Sequence, residues 1–493
     1  MKRRQTVGSD DRPTYLVPEL CLMTGIPDNF DEQRRKIVSQ NTILPPAEKY
    51  KEINGFMEQL KSKGELQDLA DIGINLSKDL NKFQAKQINN PSLELGEKKF
   101  IEKGKEAFFN LFGQPIFQAK HNISVVILHS KNADVGPMID TLTKTARNLK
   151  VELSVQKMEG PMFKDTDAIK LIDRALAQYD KCNLLMVTIP MGLKTSYPKL
   201  KQATLAITEK REILTQFVVE ATLRKKGVQS IHTKLLLQMI AKRGNILWIP
   251  SYQEEMNKVM EKVMLLGIDT GSKGSCNLMA AVGTINSTFS LYSSATTKNG
   301  EGDRKFNAML EVTLKCIEGY VGRNKSPPNE MIIFFNASPG DQINLYQENY
   351  CKKLQENVQK TYNHSVRLTV AMVNLRNSER FFTTENVPRN VFPGTLVSST
   401  IVSKNYDFFI VSQQSNKGSI VPNHYKVITA ESKLEEGHLQ ELIFSQCFNY
   451  VNWTGSIKVP AILQYAKKCA RFNAEVMNGM EVSHGLQARP YFV

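Results

Sequence analysis

Two apolar runs of strand length constrain this chain most: ISVVILHS at 123–130 and NLLMVTIP at 183–190. Neither alternates with polar residues. That is the pattern of strands covered on both faces, and such strands belong to parallel sheets flanked by helices. Between them MIDTLTKTARNLK has helical periodicity. After the second run come the helical segments SYPKLKQATLAITEK and QSIHTKLLLQMIAKR and then a strand, NILWIP. These elements predict one α/β domain over residues 120–254.

A second α/β unit, residues 255–493, opens with MLLGIDT at 264–270. Strands are expected near GTINSTFSLYSS and at MIIFFNA (331–337), VRLTVAMVN (366–374) and FFIVSQ (408–413). Helices are expected at about 305–321, 342–362, 433–448 and 459–476. Adjacent strands followed by strand–helix alternation are compatible with an RNase H-like fold, and with other mixed α/β folds. Residues 1–119 read as linker and helices, with helical periodicity through EKYKEINGFMEQLKSKG and again through EKKFIEKGKEAFFNLFG. YLVPELC at 15–21 is a short apolar segment broken by Pro18.

Charge narrows the partner. A net charge of +15 and a pI near 9.3 suit a polyanion, because Lys and Arg release the counterions condensed on phosphates; a merely basic surface would look the same. The seven cysteines (Cys21, Cys182, Cys276, Cys316, Cys351, Cys447, Cys469) form no CxxC and no Cys/His cluster, which argues against a zinc module or a disulfide framework. No apolar run approaches the roughly 18 residues of a membrane span. The start, MKRRQTVGSDDRP, lacks the apolar core of a secretory signal, and Lys2, Arg3 and Arg4 are too short a run for a nuclear one. The expected setting is intracellular, cytoplasmic or nuclear, with no membrane partner.

Two helices carry paired polar residues four apart. Tyr197 and Lys201 share one face at a helix start that Ser196 could cap, where free N–H groups and the helix dipole favour an anion. Gln238 and Lys242 share a face of the later helix, and Gln216 opens the run QFVVEATL between them. On spacing alone these residues read more simply as solvated faces of amphipathic helices.

The strings NLLMVTIPMGLKTSYPKLKQA, LTQFV and QSIHTKLLLQMIAKRGNILW resemble the MID domain of Piwi-clade Argonautes. TYLVPELCLMTG resembles the linker that follows PAZ in that family, and YDFFIVSQQSNKGSIVPNHYKVI and CFNYVNWTGSIKVPAILQYAKK resemble the late PIWI domain. The resemblance covers nearly the whole chain and implies a Rossmann-like MID domain followed by an RNase H-like PIWI domain, with the N-terminal and PAZ domains absent. It implies that Tyr197, Lys201, Gln216 and Lys242 bind a guide RNA 5′-phosphate. Gln238 and the terminal carboxylate of Val493, in the ending GLQARPYFV, would hold Mg²⁺ there.

The same resemblance implies a broken cleaving centre. Active members place an Asp on the first PIWI strand, a Glu finger, a second Asp and a final Asp or His, which position two metal ions. Asp269 matches the first. The gapless match for the finger is Lys305, with Glu301 and Asp303 near enough to substitute by a register change. IIFFNASPGDQI places Ala337 at the second Asp, with Asn336 before it and Asp341 at a later acid, and QYAKK places Lys467 at the fourth position. Asp269 is then structural.

Other candidates are weak. GSKGS at 271–275 follows Asp269 in an expected hairpin without phosphate-loop spacing, and His232, His424 and His438 read as structural. The implied function is a small-guide-RNA-binding protein in silencing, meeting target RNA by base pairing and recruiting effector proteins. The alternatives are a Mg²⁺- or Mn²⁺-dependent nuclease using Asp269, Glu301 or Asp303, and Asp341, or an RNA-free scaffold.

Overall fold

The computed structural model describes residues 5–7, 14–16, 31–62, 65–77, 79–101, 107–111, 113–208, 213–224, 227–336, 342–403, 406–415 and 417–493. Lys2, Arg3, Arg4, Pro18, Cys21, Ala337 and Asp341 lie outside the described residues.

The chain divides into two compact units. The first is Met1–Leu76 with Thr384–Arg389 and Ser415–Ser419. It holds an antiparallel pair, Gln5–Val7 with Thr14–Leu16, and helices Glu32–Thr42, Pro46–Ser62 and Glu65–Asp71. The Asp31 carboxylate accepts the Arg34 N–H at 2.8 Å and so starts the first of these helices. Pro46 opens the second, where its missing N–H costs nothing.

The second unit, Ser77–Thr383 with Asn390–Gln414 and Ile420–Val493, contains two large sheets and a small three-stranded one among the described residues. In the first, β1 (Ile123–His129), β2 (Leu153–Glu159), β3 (Leu184–Ile189) and β4 (Leu214–Val219) are all parallel, in the order β2-β1-β3-β4. The connecting helices are α1 (Gly136–Asn148), α2 (Asp165–Gln178), α3 (Tyr197–Thr208) and α4 (Val228–Lys242). All of β3 is buried, as its unbroken apolar run requires. Sequence reading found β1, α1, β3, α3 and α4 but not β2 or α2. β2 is an edge strand whose residues are mostly exposed or half-buried, so it carries no apolar signature.

The second sheet contains β5 (Val263–Lys273), β6 (Cys276–Thr284), β7 (Tyr292–Lys298), β8 (Glu330–Asn336), β9 (Arg367–Asn374), β10 (Thr395–Val397), β11 (Asp407–Val411) and β12 (Asn423–Ala430). Their order is β7-β6-β5-β8-β9-β12-β11-β10, and Lys86–Gln87 adds a ninth, two-residue strand beside β10. β5, β8 and β9 are mutually parallel, whereas β5–β6–β7 form antiparallel hairpins. GTINSTFSLYSS therefore contains the turn between β6 and β7 rather than one strand. Asn286 shapes that turn by accepting the N–H groups of Ser290 and Leu291 at 3.0 and 2.9 Å. The helices α5 (Asp303–Asn324), α6 (Lys353–Tyr362), α7 (Glu436–Gln446) and α8 (Ala461–Glu475) fall where periodicity placed them.

α8 lies directly on β5. A Cβ at Gly267 would stand 2.4 Å from the Ile462 carbonyl oxygen, and one at Gly271 would stand 2.5 Å from the Ala470 carbonyl carbon. Only glycine allows backbones this close. One large core then runs from Ile123 and Leu142 through Leu236 to Phe444 and Tyr465.

Among the described residues of EKKFIEKGKEAFFNLFG the expected α-helix does not form. A single 3-10 turn, Gly96–Lys98, leads into Phe100–Ile101, which pairs with Leu93–Glu94, and that strand in turn pairs with Ile249–Pro250. Farther on, Ala107, Phe109 and Leu111 are buried while Phe108 and Asn110 face out. This is a period of two, fixed by Phe109 packing edge-on against Trp248 at 5.0 Å. NILWIP pairs only through Ile249–Pro250 and one bridge at Ile246.

His424 pairs with Asp407 at 3.1 Å. His232 on α4 is 1% exposed, and neither ring nitrogen has a hydrogen-bond partner. Burial holds its pKa below the ordinary 6.5. The unfolded chain then protonates first on acidification, so this stability is complete above pH 6.5 and declines below it. Unfolding midpoints of His232→Leu should fall less than wild type over that window; parallel declines would refute the assignment.

Candidate nucleic-acid interface

The polar pairs anticipated on α3 and α4 meet at Thr215 and Gln216, in the amino-terminal half of β4. Tyr197 opens α3 after a 3-10 turn, Met191–Ser196. Ser196 hydrogen-bonds the Asp165 carboxylate, which also pairs with Lys199 at 3.1 Å, and the two hold that carboxyl below its usual range. The Tyr197 ring meets Phe217 edge-on at 5.5 Å, and burial pushes its phenol up to about 12. Its hydroxyl has no hydrogen-bond partner among the described residues.

Lys201 and Lys242 are 3% and 2% exposed. Both ammoniums donate to one carbonyl oxygen, that of Thr215, at 3.3 and 3.1 Å. Lys201 also donates to the Thr215 hydroxyl and lies 5.2 Å from the Phe217 ring centre and 5.7 Å from that of Phe472. Gln216, the third residue of β4, accepts from Lys242 at 2.8 Å and donates to the Gln238 amide oxygen at 2.9 Å. Burial pushes Lys201 down to about 7. Lys242 is lowered well below its ordinary 10.5 by burial and by the charges of Lys201 and Lys468. No carboxylate pairs with Lys201 or Lys242 among the described residues. Buried charge without a counter-ion is expensive, so an anion from outside is the group this arrangement can accept. Lys201, Gln216, Gln238 and Lys242 thus share one hydrogen-bond network through Thr215, and Tyr197 adjoins it through the Phe217 ring. Sequence reading missed Thr215, Phe217, Phe472 and Lys468. Only Lys468 left a signal, as the second lysine of QYAKK.

Val493 packs half-buried against the core that holds Leu236 and Ile240 of α4. An amide oxygen and a terminal carboxylate are hard donors of the kind Mg²⁺ takes, with phosphate oxygens and water completing its octahedron. The donor chemistry fits Mg²⁺ once Gln216 releases the Gln238 oxygen.

Asp269 is buried on β5, which raises its carboxyl pKa against the opposing effects of the Thr270 N–H (2.8 Å), the Lys467 charge and a hydrogen bond from Asn336. Lys305 donates to the Tyr346 hydroxyl and sits over that ring at 5.0 Å, while Glu301 and Asp303 are exposed at the start of α5. Among the described residues no three His, Cys, Asp or Glu side chains converge as a metal site. No described helix is long and apolar enough to cross a membrane.

Residues 184–478, more than half of the chain, match the family model described as Piwi domain. Piwi-like protein 1 of Danio rerio is 25% identical over 480 residues, covering 93% of this chain and 54% of that protein. Protein aubergine of Drosophila melanogaster is 26% identical over 506 residues, covering 99% and 57%. The chain spans about half the length of the curated relatives it matches. The crystal structure of Drosophila Piwi is similar at a TM-score of 0.84 and 21% identity, over 99% of this chain and 67% of that one. Kluyveromyces polysporus Argonaute with a guide RNA is similar at 0.77 and 19%, over 99% and 66%. The two sheets accordingly have the fold of an Argonaute MID–PIWI lobe, the second being RNase H-like. With the Piwi model matched from β3 through β12 and α8, more than half of its residues, this chain belongs to the Piwi domain family.

Proposed function

We infer that the chain grips a small guide RNA by its 5′-phosphate and does not itself cut the target. The observation that carries this reading is the pair of buried, carboxylate-free lysines sharing the Thr215 oxygen beside the start of α3. A terminal phosphate supplies the missing negative charge, and Tyr197 offers it a free phenolic donor. Gln238 and the Val493 carboxylate add Mg²⁺ at the same end. The similar Kluyveromyces Argonaute is one solved with a guide RNA. In this reading residues 1–119 are a linker region, 120–254 the guide-end domain and 255–493 the PIWI domain. Target RNA joins by base pairing, and silencing follows from recruited effector proteins in the cytoplasm or nucleus. Loss of cutting is supported by Asn336 and Lys467 standing beside Asp269 where a nuclease needs further carboxylates.

Binding of 5′-phosphorylated and 5′-hydroxyl RNA tests the grip. Wild type should prefer the phosphate, and Tyr197→Ala should weaken that form by roughly 10-fold, the worth of one charge-assisted hydrogen bond. Equal binding of both RNAs by wild type would sink the assignment. A paired guide and target incubated with Mg²⁺ should stay intact; a single cut abolished by Asp269→Ala would overturn the inactive reading.

A further inference from the structure

We propose that the cavity between α1 and α4 is a binding site for a small organic acid carrying one apolar group, one N–H or O–H donor and a single carboxylate. No residue of the lysine network lines it, and the inference does not depend on the guide-end reading.

The cavity follows from where short side chains fall. α1 and α4 pack side by side, and both line it: Thr141, Thr145 and Asn148 from one helix, Ser230, Thr233 and Leu237 from the other. Spacings of three and four keep each row on one helix face. Apart from Leu237 these side chains are too short to fill the gap. The space left is about 540 Å³, within the range of small-molecule sites. Its floor is apolar, since Leu237, Leu149 and Leu111 are all buried in the main core. Trp453 closes one side. A Cβ at Gly455 would stand 2.9 Å from the indole nitrogen, so glycine there makes room for the ring, which Phe108 meets edge-on at 5.7 Å.

The polar groups dictate the chemistry of the ligand. The Lys234 ammonium stands 4.9 Å from the centre of the Trp453 ring, and Lys144 lies at the exposed rim. Among the described residues no carboxylate pairs with either lysine. Asp140, exposed one turn before Lys144, offsets one of the two charges. One positive charge is left, and a single carboxylate neutralises it through a charge-assisted hydrogen bond. Asn452 lines the cavity as well. Its NH₂ donates to the Tyr450 hydroxyl at 3.3 Å, while its buried amide oxygen has no hydrogen-bond partner. A buried acceptor of this kind calls for a ligand that brings a donor. An N-acyl amino acid with a branched or aromatic side chain combines all three features.

Trp453 is itself the reporter. The chain has two tryptophans, and the other, Trp248, is 2% exposed and donates its indole N–H to the Phe448 carbonyl at 2.9 Å. Titrating the RNA-free full chain with N-acetyl-leucine should change tryptophan emission saturably, with a Kd of roughly 0.1–1 mM for so small a ligand. Trp453→Phe should abolish that signal. N-acetyl-leucinamide, which lacks the charge, should bind at least about 10-fold more weakly. Lys144→Met and Lys234→Met should each weaken the acid by roughly 5- to 10-fold and leave the amide unchanged. Lys144 is exposed, so its variant keeps the fold. No saturable change in emission, or equal binding of acid and amide, would overturn the proposal. So would wild-type affinity for the acid in both lysine variants. Tighter binding of a hexapeptide ending in leucine than of the free acid would also overturn it, by assigning the cavity to a protein tail.

Discussion

Lys201→Met should stabilise the RNA-free chain and cripple its grip on 5′-phosphorylated RNA. The ammonium is buried against Thr215, two aromatic rings and the Lys242 ammonium, and methionine fills a similar volume without charge. Removing an uncompensated buried charge should raise unfolding stability by about 1–3 kcal/mol. Removing a charged phosphate donor should weaken binding by roughly 10- to 100-fold. The two effects have opposite signs because the anion is what makes the charge tolerable. Stability also acquires a pH signature. Lys201 is pushed down to about 7 in the folded chain against 10.5 ordinarily. Between those values the unfolded chain binds more protons, so RNA-free stability is fullest above pH 10.5 and is lost as pH falls to 7. The variant should lose Lys201's share of that slope and keep the share of Lys242. In wild type, phosphate binding above pH 7 should draw in a proton and weaken as pH rises. A destabilised variant with intact RNA binding would show that Lys201 is simply part of the core.

Gly267→Ala or Gly271→Ala should each cost about 3 kcal/mol or more, at the upper end of overpacking effects. The added methyl meets main-chain atoms of α8, which cannot rotate aside as a side chain can. α8 must lift from β5, taking Lys467 and Lys468 out of register with Asp269 and Lys242. RNA binding should therefore decline along with the chemical-denaturation midpoint. Gly322 supplies the control. It lies in α5 with nothing within 4 Å of its would-be Cβ, so Gly322→Ala should gain about 0.5–1 kcal/mol from helix propensity. Equal behaviour of the three variants would refute the close-approach argument.

What the sequence disclosed follows from how locally each signal is written. β3 is legible because all its residues are buried, and the Tyr197/Lys201 and Gln238/Lys242 pairs because four residues make one helical turn. β2 escaped because an edge strand has little apolar periodicity. The segment 97–113 was misread because its closely spaced charges imitate a helix, while Trp248, distant in sequence, imposes the alternation of Ala107, Phe109 and Leu111. Phe472 and Lys468 joined the lysine network only once α8 was folded onto the sheet. Sequence order alone contains no hint of that meeting. The family resemblance supplied the roles that spacing left open.

The two-residue strand at Lys86–Gln87 has a consequence for how the chain is made. Gln87 donates to the Pro393 carbonyl at 2.7 Å across 306 residues of sequence, and the Ile88 N–H reaches Gly394 at 2.9 Å. At ribosomal speeds of about 5–20 residues per second, residues 86–88 wait roughly 15–60 s for their partners to be synthesised. The waiting segment is KQINN, polar and a poor seed for intermolecular β-pairing. The sheet's last seam is therefore closed late, by a stretch suited to remaining unpaired until β10 arrives.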